Sequence, residues 1–552
     1  MHALKKLFAE RLSTGLKRQS ITTCSKWAEQ YRVMGGKDFP GKWSFKWHPW
    51  LKEMMDSTAE LNIGKKSAQM GFTEAILNKA FFKIDVESTD VLYVLPAKTP
   101  DASDFSSGRF DAALELSSHL SLLFSHVKNV GHKRAGSVNF YIRGAKSKSG
   151  LKSIPVGFLA LDEIDEFSDR AIPLAKERQS GQMKKEAWAI STPTIENKGI
   201  DALYQLSTQE HFFFICPSCS KLTELIYPDC IEITADQLND PRLNDTYLKC
   251  KECKNKLSHE TKTTWLQTGR WIPGYTNRDS RGFYINQLYS ATVTPKALAE
   301  AALLAANNPA DEQEFYNSKL GLEHMVDGAK INDAMLDACT GDYISGEYKV
   351  GTKLITMGVD VGTWLHTEVC EWTLPANIIA DLNIESFCKV IECKKYQHFH
   401  ELDGLMYKYR INFCVIDAHP ERRKAFEFAS RFWGHVKMCF YARGIQGKQI
   451  TVNKEPNGEP TISVDRTSWL DLSLGRFRNS QIRIPKDTSE EYRKNVKALV
   501  RMYEKDIDGN VTSKYVKGNE NDHFAHARNY AEIALPFAAS VNVSSDIREH
   551  IV

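Results

Sequence analysis

Val156-Gly-Phe-Leu-Ala-Leu-Asp162-Glu163 is an apolar run that stops at two acids. A run of this length suits a buried strand. Its acids then stand at the C-terminal edge of a sheet, where open α/β folds place their ligands. The same form recurs with one acid each in Leu354-Ile-Thr-Met-Gly-Val-Asp360 and Phe413-Cys-Val-Ile-Asp417. A carboxylate delivered by a buried strand costs desolvation unless a cation sits beside it, and magnesium is the usual answer. Around the first run, apolar segments (Asp90–Pro96, Val138–Ile142, Gly157–Leu161, Ala187–Pro193) alternate with helical patterns, which predicts βαβ units on a parallel sheet. From Lys353 the order is three strands, a helix near Asp403–Tyr409, the Asp417 strand, a helix over Glu421–Phe432 and a further strand. That is the order an RNase H-like sheet requires. The expected class is α/β, with a nucleotide-hydrolysing half and a metal-dependent nuclease half.

The chain has 552 residues, enough for two to four domains. It is 42% hydrophobic and 26% charged, an ordinary soluble composition. Net charge is only +3, so any nucleic-acid contact must come from local basic patches. No apolar run approaches the roughly 18 residues that span a bilayer. The start, Met1-His-Ala-Leu-Lys-Lys-Leu-Phe8, has no long apolar region or cleavage site and does not read as a secretory signal. Of twelve cysteines, eight lie scattered in apolar contexts such as Phe413-Cys414-Val, as free core thiols do in a reducing compartment.

Gly64-Lys65-Lys66-Ser67-Ala-Gln-Met-Gly71-Phe-Thr73 predicts a loop feeding a helix that begins near Thr73. Phosphates need backbone N–H groups at a helix N-terminus, a lysine, and a hydroxyl for magnesium. Gly71 supplies the turn, Thr73 the hydroxyl and Lys65 or Lys66 the ammonium; Phe72 stands where the usual lysine would. A plain glycine turn is the competing local reading. Asp162-Glu163, some 90 residues on, adds weight. In such pairs the first acid holds magnesium and the second polarises the attacking water. An acidic surface loop is the alternative, and the preceding apolar strand argues against it.

Cys216-Pro-Ser-Cys219 and Cys250-Lys-Glu-Cys253 are two knuckles about 30 residues apart, a spacing that points four thiolates at one tetrahedral zinc. The shell is closed, so that zinc would be structural. Cys230 is the spare. Lysines 221, 249, 251, 254 and 256 flank the quartet, as a DNA contact or a solvated face would.

Two-metal phosphodiester hydrolysis needs several carboxylates around ions roughly 3.5–4 Å apart. Asp360 and Asp417 end neighbouring strands. A third acid is expected from Asn521-Asp522-His-Phe-Ala-His526, either a ligand or an ordinary N-cap. His526 is a candidate ligand or outer partner, and Glu368 a weaker fourth ligand. Arg422-Arg423-Lys424 beside Asp417 suits a phosphate backbone, or a first-turn charge pattern.

Lys66-Ser-Ala-Gln-Met-Gly-Phe-Thr73, Leu161-Asp-Glu-Ile-Asp-Glu-Phe167, Ser191-Thr-Pro-Thr194, and Phe315-Tyr-Asn-Ser-Lys-Leu-Gly321 together resemble the large terminase subunit of tailed phages, of the lambda-like type. The resemblance runs from roughly Trp27 to Ala534. It implies a P-loop-type ATPase with an inserted zinc-ribbon-like subdomain, and an RNase H-like nuclease. The implied ligands are ATP, Mg²⁺ or Mn²⁺, and a structural Zn²⁺. The implied partners are double-stranded DNA, a small terminase subunit and the portal of a procapsid, with a homo-oligomeric ring on that portal, no membrane, and the host cytoplasm as location. It implies that Ser191–Thr194 couples hydrolysis to DNA movement, that Asp522 is the third nuclease acid, and that one of Trp43, Trp47 and Trp50 stacks on adenine, against helix packing for at least two. Ser67–Met70 lacks the arginine many terminases carry, so a finger must come from elsewhere, Arg109 or Arg143, in cis or in trans. The expected division is 1–60 (helical and aromatic), 61–215 (ATPase core), 216–275 (zinc insertion), 276–322 (helical continuation, with an alanine-rich helix pair over 296–320), 323–350 (linker), 351–540 (nuclease) and 541–552 (tail). A helicase–nuclease of DNA repair is the alternative function, though its further helicase motifs are missing; a zinc-bearing DNA-binding module leaves the strand-end acids unexplained.

Overall fold

Among the described residues, eleven strands form the sheet of the first unit, and the seven at its centre run parallel. The structure, a computed structural model, describes residues 21–549 apart from 126, 148–150, 152–153, 169–170, 349–352, 376–384, 443, 446, 454–457 and 507. The amphipathic start Met1–Phe8 and the last three residues of the expected tail lie outside the described residues. The chain divides into two units, Met1–His324 and Met325–Val552.

In the first unit the elements that matter are β1 (Leu61–Lys66), α1 (Phe72–Asp85), β2 (Val91–Leu95), β3 (Val138–Gly144), β4 (Phe158–Asp162), β5 (Glu186–Ser191), β6 (Glu210–Ile215) and β7 (Arg281–Ile285). Their order across the sheet is β6-β7-β1-β5-β4-β2-β3, every neighbouring pair parallel. The five residues of β2 and of β4 are all buried, as strands covered on both faces must be, which is why they read as unbroken apolar runs. β7 lies inside the stretch expected to be helical and instead pairs with β1 along five residues. Alternation is hidden there because four of its five residues are buried. Helices at Pro295–Ala305 and Pro309–Glu314 match the expected alanine-rich pair.

In the second unit β8 (Leu354–Val361), β9 (Leu365–Thr373) and β10 (Phe387–Tyr396) form an antiparallel meander. Then follow α2 (Phe399–Lys408), β11 (Phe413–Asp417), α3 (Arg422–Arg431) and β12 (Val436–Tyr441), with β11 parallel to β8 and β12 parallel to β11. The order β10-β9-β8-β11-β12 is the RNase H-like arrangement. Among the later elements are two helices that matter for the site, α4 (Arg466–Arg478) and α5 (His523–Glu549). α5 lies directly on β8: a Cβ on Gly358 would sit 2.0 Å from the Ala527 carbonyl oxygen, so only glycine permits that approach. The stretch expected as a linker is corrected. Ile331, Leu336 and Cys339 are fully buried in this unit's core, and the chain bridges from Lys330 to Val500 and from Thr340 to Ile484. Its polar, glycine-bearing composition hid three anchoring side chains.

Candidate functional sites

β1 ends in Lys65 and Lys66, and the pleat sends consecutive side chains to opposite faces. Lys65 Nζ lies 2.7 Å from Asp201 Oδ1 and also bonds Glu323. Lys66 Nζ lies 2.8 Å from Glu163 Oε1 and 3.4 Å from Thr192 Oγ1. Lys66 is therefore the ammonium that faces the strand-end acids. Lys65 as a nucleotide ligand is corrected: it is locked into a buried ion pair on the other face.

The loop then turns at Gly71, whose φ is +82° and whose Cβ, if present, would lie 2.8 Å from Leu51 Cδ1. Ser67 donates its amide to the Ile285 carbonyl at 2.9 Å, and Ala68 donates to Ser318 at 2.8 Å. Those two amides are engaged within the protein, and the Ser67 hydroxyl is buried with no hydrogen-bond partner. The amides open to a phosphate are those of the first turn of α1, which have no intrahelical acceptor. Thr73 stands in that turn.

Asp162 is buried at the end of β4. Its Oδ2 accepts the Tyr93 hydroxyl at 2.7 Å, and its Oδ1 is buried without a hydrogen-bond partner. Burial, then Glu163, pushes its pKa up to about 6, against the pull of Lys66, Tyr93 and Thr73. An orphaned carboxylate oxygen beside a threonine hydroxyl fits a hard dication. Glu163 follows with φ +58°, a left-handed conformation that a glutamate adopts only under constraint. Its Oε2 accepts the Ser191 hydroxyl and the Thr192 amide, both at 3.2 Å. Asp165, which sequence reasoning passed over, accepts the Thr194 amide (3.1 Å) and hydroxyl (3.0 Å) and the Ile200 amide (2.9 Å). Asn317 reaches the Thr194 carbonyl at 3.0 Å. Lys66, Glu163, Asp165 and Ser191–Thr194 thus form one bonded network, with Asp162 beside it.

Trp50 is buried and donates Nε1 to the Met70 carbonyl at 3.0 Å, bracing the loop, and Trp43 is buried against Phe45. Both serve packing, while Trp47 is half-buried against Phe39. Arg109 is half-exposed and pairs with Glu74 of α1 at 2.8 Å. Arg143 donates Nη1 to the carbonyls of Gly131 and Ile142.

In the second unit the pairing of Val359 with Ile416 brings Asp360 and Asp417, the next residues, to the same sheet edge. Burial, then the proximity of Asp360, raises the Asp417 pKa to about 6, with the His419 amide and Tyr530 hydroxyl opposing. Asp522 immediately precedes α5. Burial pushes its carboxyl up, but His526, Lys517 and Arg466 overcome this and hold it at about 2. His526 has both ring nitrogens engaged, Nδ1 with the Tyr441 hydroxyl (3.0 Å) and Nε2 with Asp522 Oδ2 (3.3 Å). Its placement is that of an outer partner of Asp522. Glu368 as a metal ligand is corrected: it is fully buried, with Oε1 2.7 Å from Arg528 Nη1 and Oε2 2.7 Å from the Tyr492 hydroxyl. The basic cluster beside Asp417 is paired to acids, Arg422 to Glu459, Arg423 to Glu427 and Lys424 to Glu421. Sequence reasoning missed His366, directly across from Asp360 in the β8–β9 pairing, and His523, whose Nδ1 is 2.8 Å from Asp360 Oδ2. The neighbourhood of His523 to Asp522 was the one available signal.

The sulfurs of Cys216, Cys219, Cys250 and Cys253 all lie within 4.8 Å of one another. Both knuckles fold alike. The amides of Ser218 and Glu252 point at the sulfurs of Cys216 and Cys250 at 3.4 Å, and Ser220 and Lys254 each take a left-handed φ. Four sulfurs gathered this closely suit one tetrahedral thiolate site. Lys249 and Lys251 pair with Glu232 and Glu224, so part of the flanking charge is neutralised.

Two family models match the chain. Residues 37–271 match the phage terminase large subunit gpA ATPase domain, and residues 280–424 match the terminase large subunit gpA endonuclease domain, together more than two thirds of the length. The first match includes Lys66, Asp162, Glu163 and the cysteine quartet; the second includes Asp360 and Asp417. Among solved structures, the HK97 bacteriophage large terminase is 10% identical with a TM-score of 0.50, over 92% of this chain and 98% of that one. A large terminase from a thermophilic bacteriophage is 11% identical with a TM-score of 0.30, over 88% and 98%. The large terminase nuclease of thermophilic phage G20c is 13% identical with a TM-score of 0.22, over 36% and 95%. No curated protein matches.

Proposed function

This chain belongs to the phage terminase large subunit family, and on that premise we propose which residues carry the work of its two domains. The first domain hydrolyses ATP and the second cuts DNA, the two activities by which phage DNA is packaged. A repair helicase–nuclease is not favoured.

In the ATPase domain, Lys66 binds the terminal phosphates, held ready by its 2.8 Å contact with Glu163. The first-turn amides of α1 cradle the phosphate oxygens, and Glu163 orients and polarises the attacking water. Thr73 and Asp162 would hold a magnesium ion, which supplies charge neutralisation on the nucleotide. Arg109 is the better placed finger, half-exposed on Glu74 of α1 and within electrostatic reach of Asp162, whereas Arg143 is turned onto two backbone carbonyls. The bonds from Glu163 and Asp165 to Ser191–Thr194 give hydrolysis a direct mechanical outlet. In the nuclease domain, Asp360, Asp417 and Asp522 would hold divalent Mg²⁺ or Mn²⁺, which supplies Lewis-acid stabilisation of the attacking and leaving oxygens. The cysteine quartet would hold one structural Zn²⁺. Double-stranded DNA, a small terminase subunit and a portal are the partners, with a ring of copies on the portal, in the host cytoplasm. Among the described residues no helix is long and apolar enough to cross a membrane.

The observation that carries this reading is the buried, orphaned oxygen of Asp162 beside the Lys66–Glu163 pair. Glu163→Gln keeps the shape and removes the charge; it is expected to lower ATP turnover about a hundredfold or more and to leave plasmid cleavage intact. Asp417→Ala should do the reverse. Normal turnover in the first, or normal cutting in the second, overturns the corresponding assignment.

A further inference from the structure

Beside Asp360 stand two imidazoles that the three-carboxylate site does not use. His366 faces Asp360 across the β8–β9 pairing, and opposed residues of an antiparallel pair share a face of the sheet. His523, at the first position of α5, lies on the same face with its Nδ1 2.8 Å from Asp360 Oδ2. The two rings are stacked, with centroids 4.5 Å apart and planes inclined by 10°. One donor atom from each of Asp360, His366 and His523 lies within 4.8 Å of the others. An ion bonded at about 2.1 Å holds its donors roughly 3–4 Å apart, and because imidazole binds a metal in its ring plane, the two stacked rings must tilt as well as close in for both nitrogens to meet one ion.

The decisive feature is His366. It is only 4% exposed, and its Nδ1 is buried with no hydrogen-bond partner. Buried imidazole nitrogens are otherwise almost always satisfied, and an orphan on a ring that packs beside a carboxylate and a second imidazole calls for a further partner such as a shared cation. Its other nitrogen, Nε2, lies 4.0 Å from Glu491 Oε1, beyond hydrogen-bond reach. His523 alone would be an ordinary ion pair; His366 has no comparable explanation. Two nitrogens and one carboxylate are also the wrong set for magnesium, which prefers oxygen and water, and a good set for a first-row transition-metal dication.

We propose that Asp360, His366 and His523 form a mixed imidazole–carboxylate site for a transition-metal dication such as Mn²⁺, sharing Asp360 with the all-carboxylate site. This rests on the nuclease reading only through that shared aspartate. The consequence is that the cutting domain distinguishes Mn²⁺ from Mg²⁺ through nitrogen ligation that only the former accepts readily.

The test is pulsed electron paramagnetic resonance on the full chain titrated with Mn²⁺ alone. Imidazole nitrogen bound directly to Mn²⁺ modulates the echo with ¹⁴N frequencies, which change pattern when histidine is supplied as ¹⁵N. The ATPase site offers oxygen donors and gives no such signal. Wild-type protein should show the histidine pattern at one Mn²⁺ per chain. His366→Leu and His523→Gln should each weaken Mn²⁺ binding about tenfold or more and reduce the modulation. His526→Gln should retain it, because that ring is engaged with Tyr441 and Asp522. Absence of nitrogen modulation in the wild type overturns the proposal without needing any variant to fold. So does modulation that survives His366→Leu unchanged. Plasmid cleavage by Asp417→Ala separates the two claims. Normal cutting by that variant removes the nuclease assignment and leaves the nitrogen signal to stand or fall alone.

Discussion

Lys65 and Lys66 are adjacent and chemically identical, yet the strand sends them to opposite faces, so their replacements should fail in different ways. Lys66→Ala removes the ammonium opposite Glu163. Loss of one preorganised charge on a transferring phosphoryl typically raises the barrier by about 2.7–4 kcal/mol, a factor of 10²–10³ in turnover. The half-exposed Glu163 side chain can rehydrate when its partner is lost, so the fold should lose little. Lys65→Met keeps the stem and removes the charge that compensates Asp201, which is fully buried. Breaking a buried pair from one side costs roughly 3–5 kcal/mol, because the other charge stays behind uncompensated. Asp201 keeps the Asn197 amide at 2.7 Å, which places the expected loss at the lower end. At about 2–4 °C per kcal/mol for domains of this size, the ATPase unit should melt on the order of 5–10 °C lower. Phosphate release at saturating ATP, at a temperature where both variants are folded, reads the first effect, and thermal denaturation reads the second. The reasoning is refuted if Lys65→Met loses its turnover with an unchanged melting point while Lys66→Ala hydrolyses ATP normally.

Two further outcomes test the ATPase unit. Protein purified without chelator should carry one zinc per chain by elemental analysis, and Cys216→Ser should lose that zinc and destabilise the 216–275 subdomain without directly abolishing DNA cleavage; metal-free wild-type protein removes the claim. Lys262 is buried with its Nζ on the carbonyls of Leu288 (2.9 Å) and Ser290 (2.7 Å), and burial lowers its pKa to about 7. The unfolded lysine keeps its proton to about pH 10 while the folded one releases it above 7, so stability rises with pH across that window. Between pH 7 and 9 the wild type should gain about 2 kcal/mol relative to Lys262→Met in guanidinium unfolding. A flat difference over that range, or a gain confined to pH below 7, contradicts the assignment.

The elements that are legible in the sequence are those whose residues answer to a single local rule. Asp162, Asp360 and Asp417 each follow a run buried on both faces, and the run alone announces strand and edge. The cysteine knuckles are set by spacing within one turn. What stays hidden depends on partners far along the chain. Nothing around Asp201 or Glu323 says that they will claim Lys65, 136 and 258 residues away. β7 reads as helical territory because a strand buried at four of its five residues shows no alternation, and its pairing with β1 is a property of the sheet. The 323–350 stretch reads as a linker because three buried side chains among polar neighbours carry no period. His366 is invisible for the same reason: its register opposite Asp360 is decided by the β8–β9 turn, not by any pattern in His366-Thr-Glu-Val.

Glu368 shows how the second unit keeps its acids sorted. Four charged side chains, Glu368, Arg528, Glu532 and Arg476, lie buried together and sum to zero. Arg528 spans Glu368 on β9 at 2.7 Å and Glu532 one turn along α5 at 2.5 Å, while Arg476 on α4 clasps Glu532 through two contacts of 2.7 and 2.6 Å. Replacing such a network with apolar residues often leaves stability unchanged, so it is weak evidence of stability as such. Its geometric effect is larger. A helix sliding by one turn moves about 5.4 Å, and such a slip of α5 would break every one of these pairs and leave buried charges unmatched. The same slip would carry His523 away from Asp360. The network therefore acts as a register pin, penalising each wrong placement of α5 by several kcal/mol. The close approach at Gly358 sets how near the helix lies, and the Glu368–Arg528 pair sets how far along it sits. Together they position the start of α5 against the sheet edge and keep Glu368, which resembles a metal ligand in the sequence, inside the buried ion network.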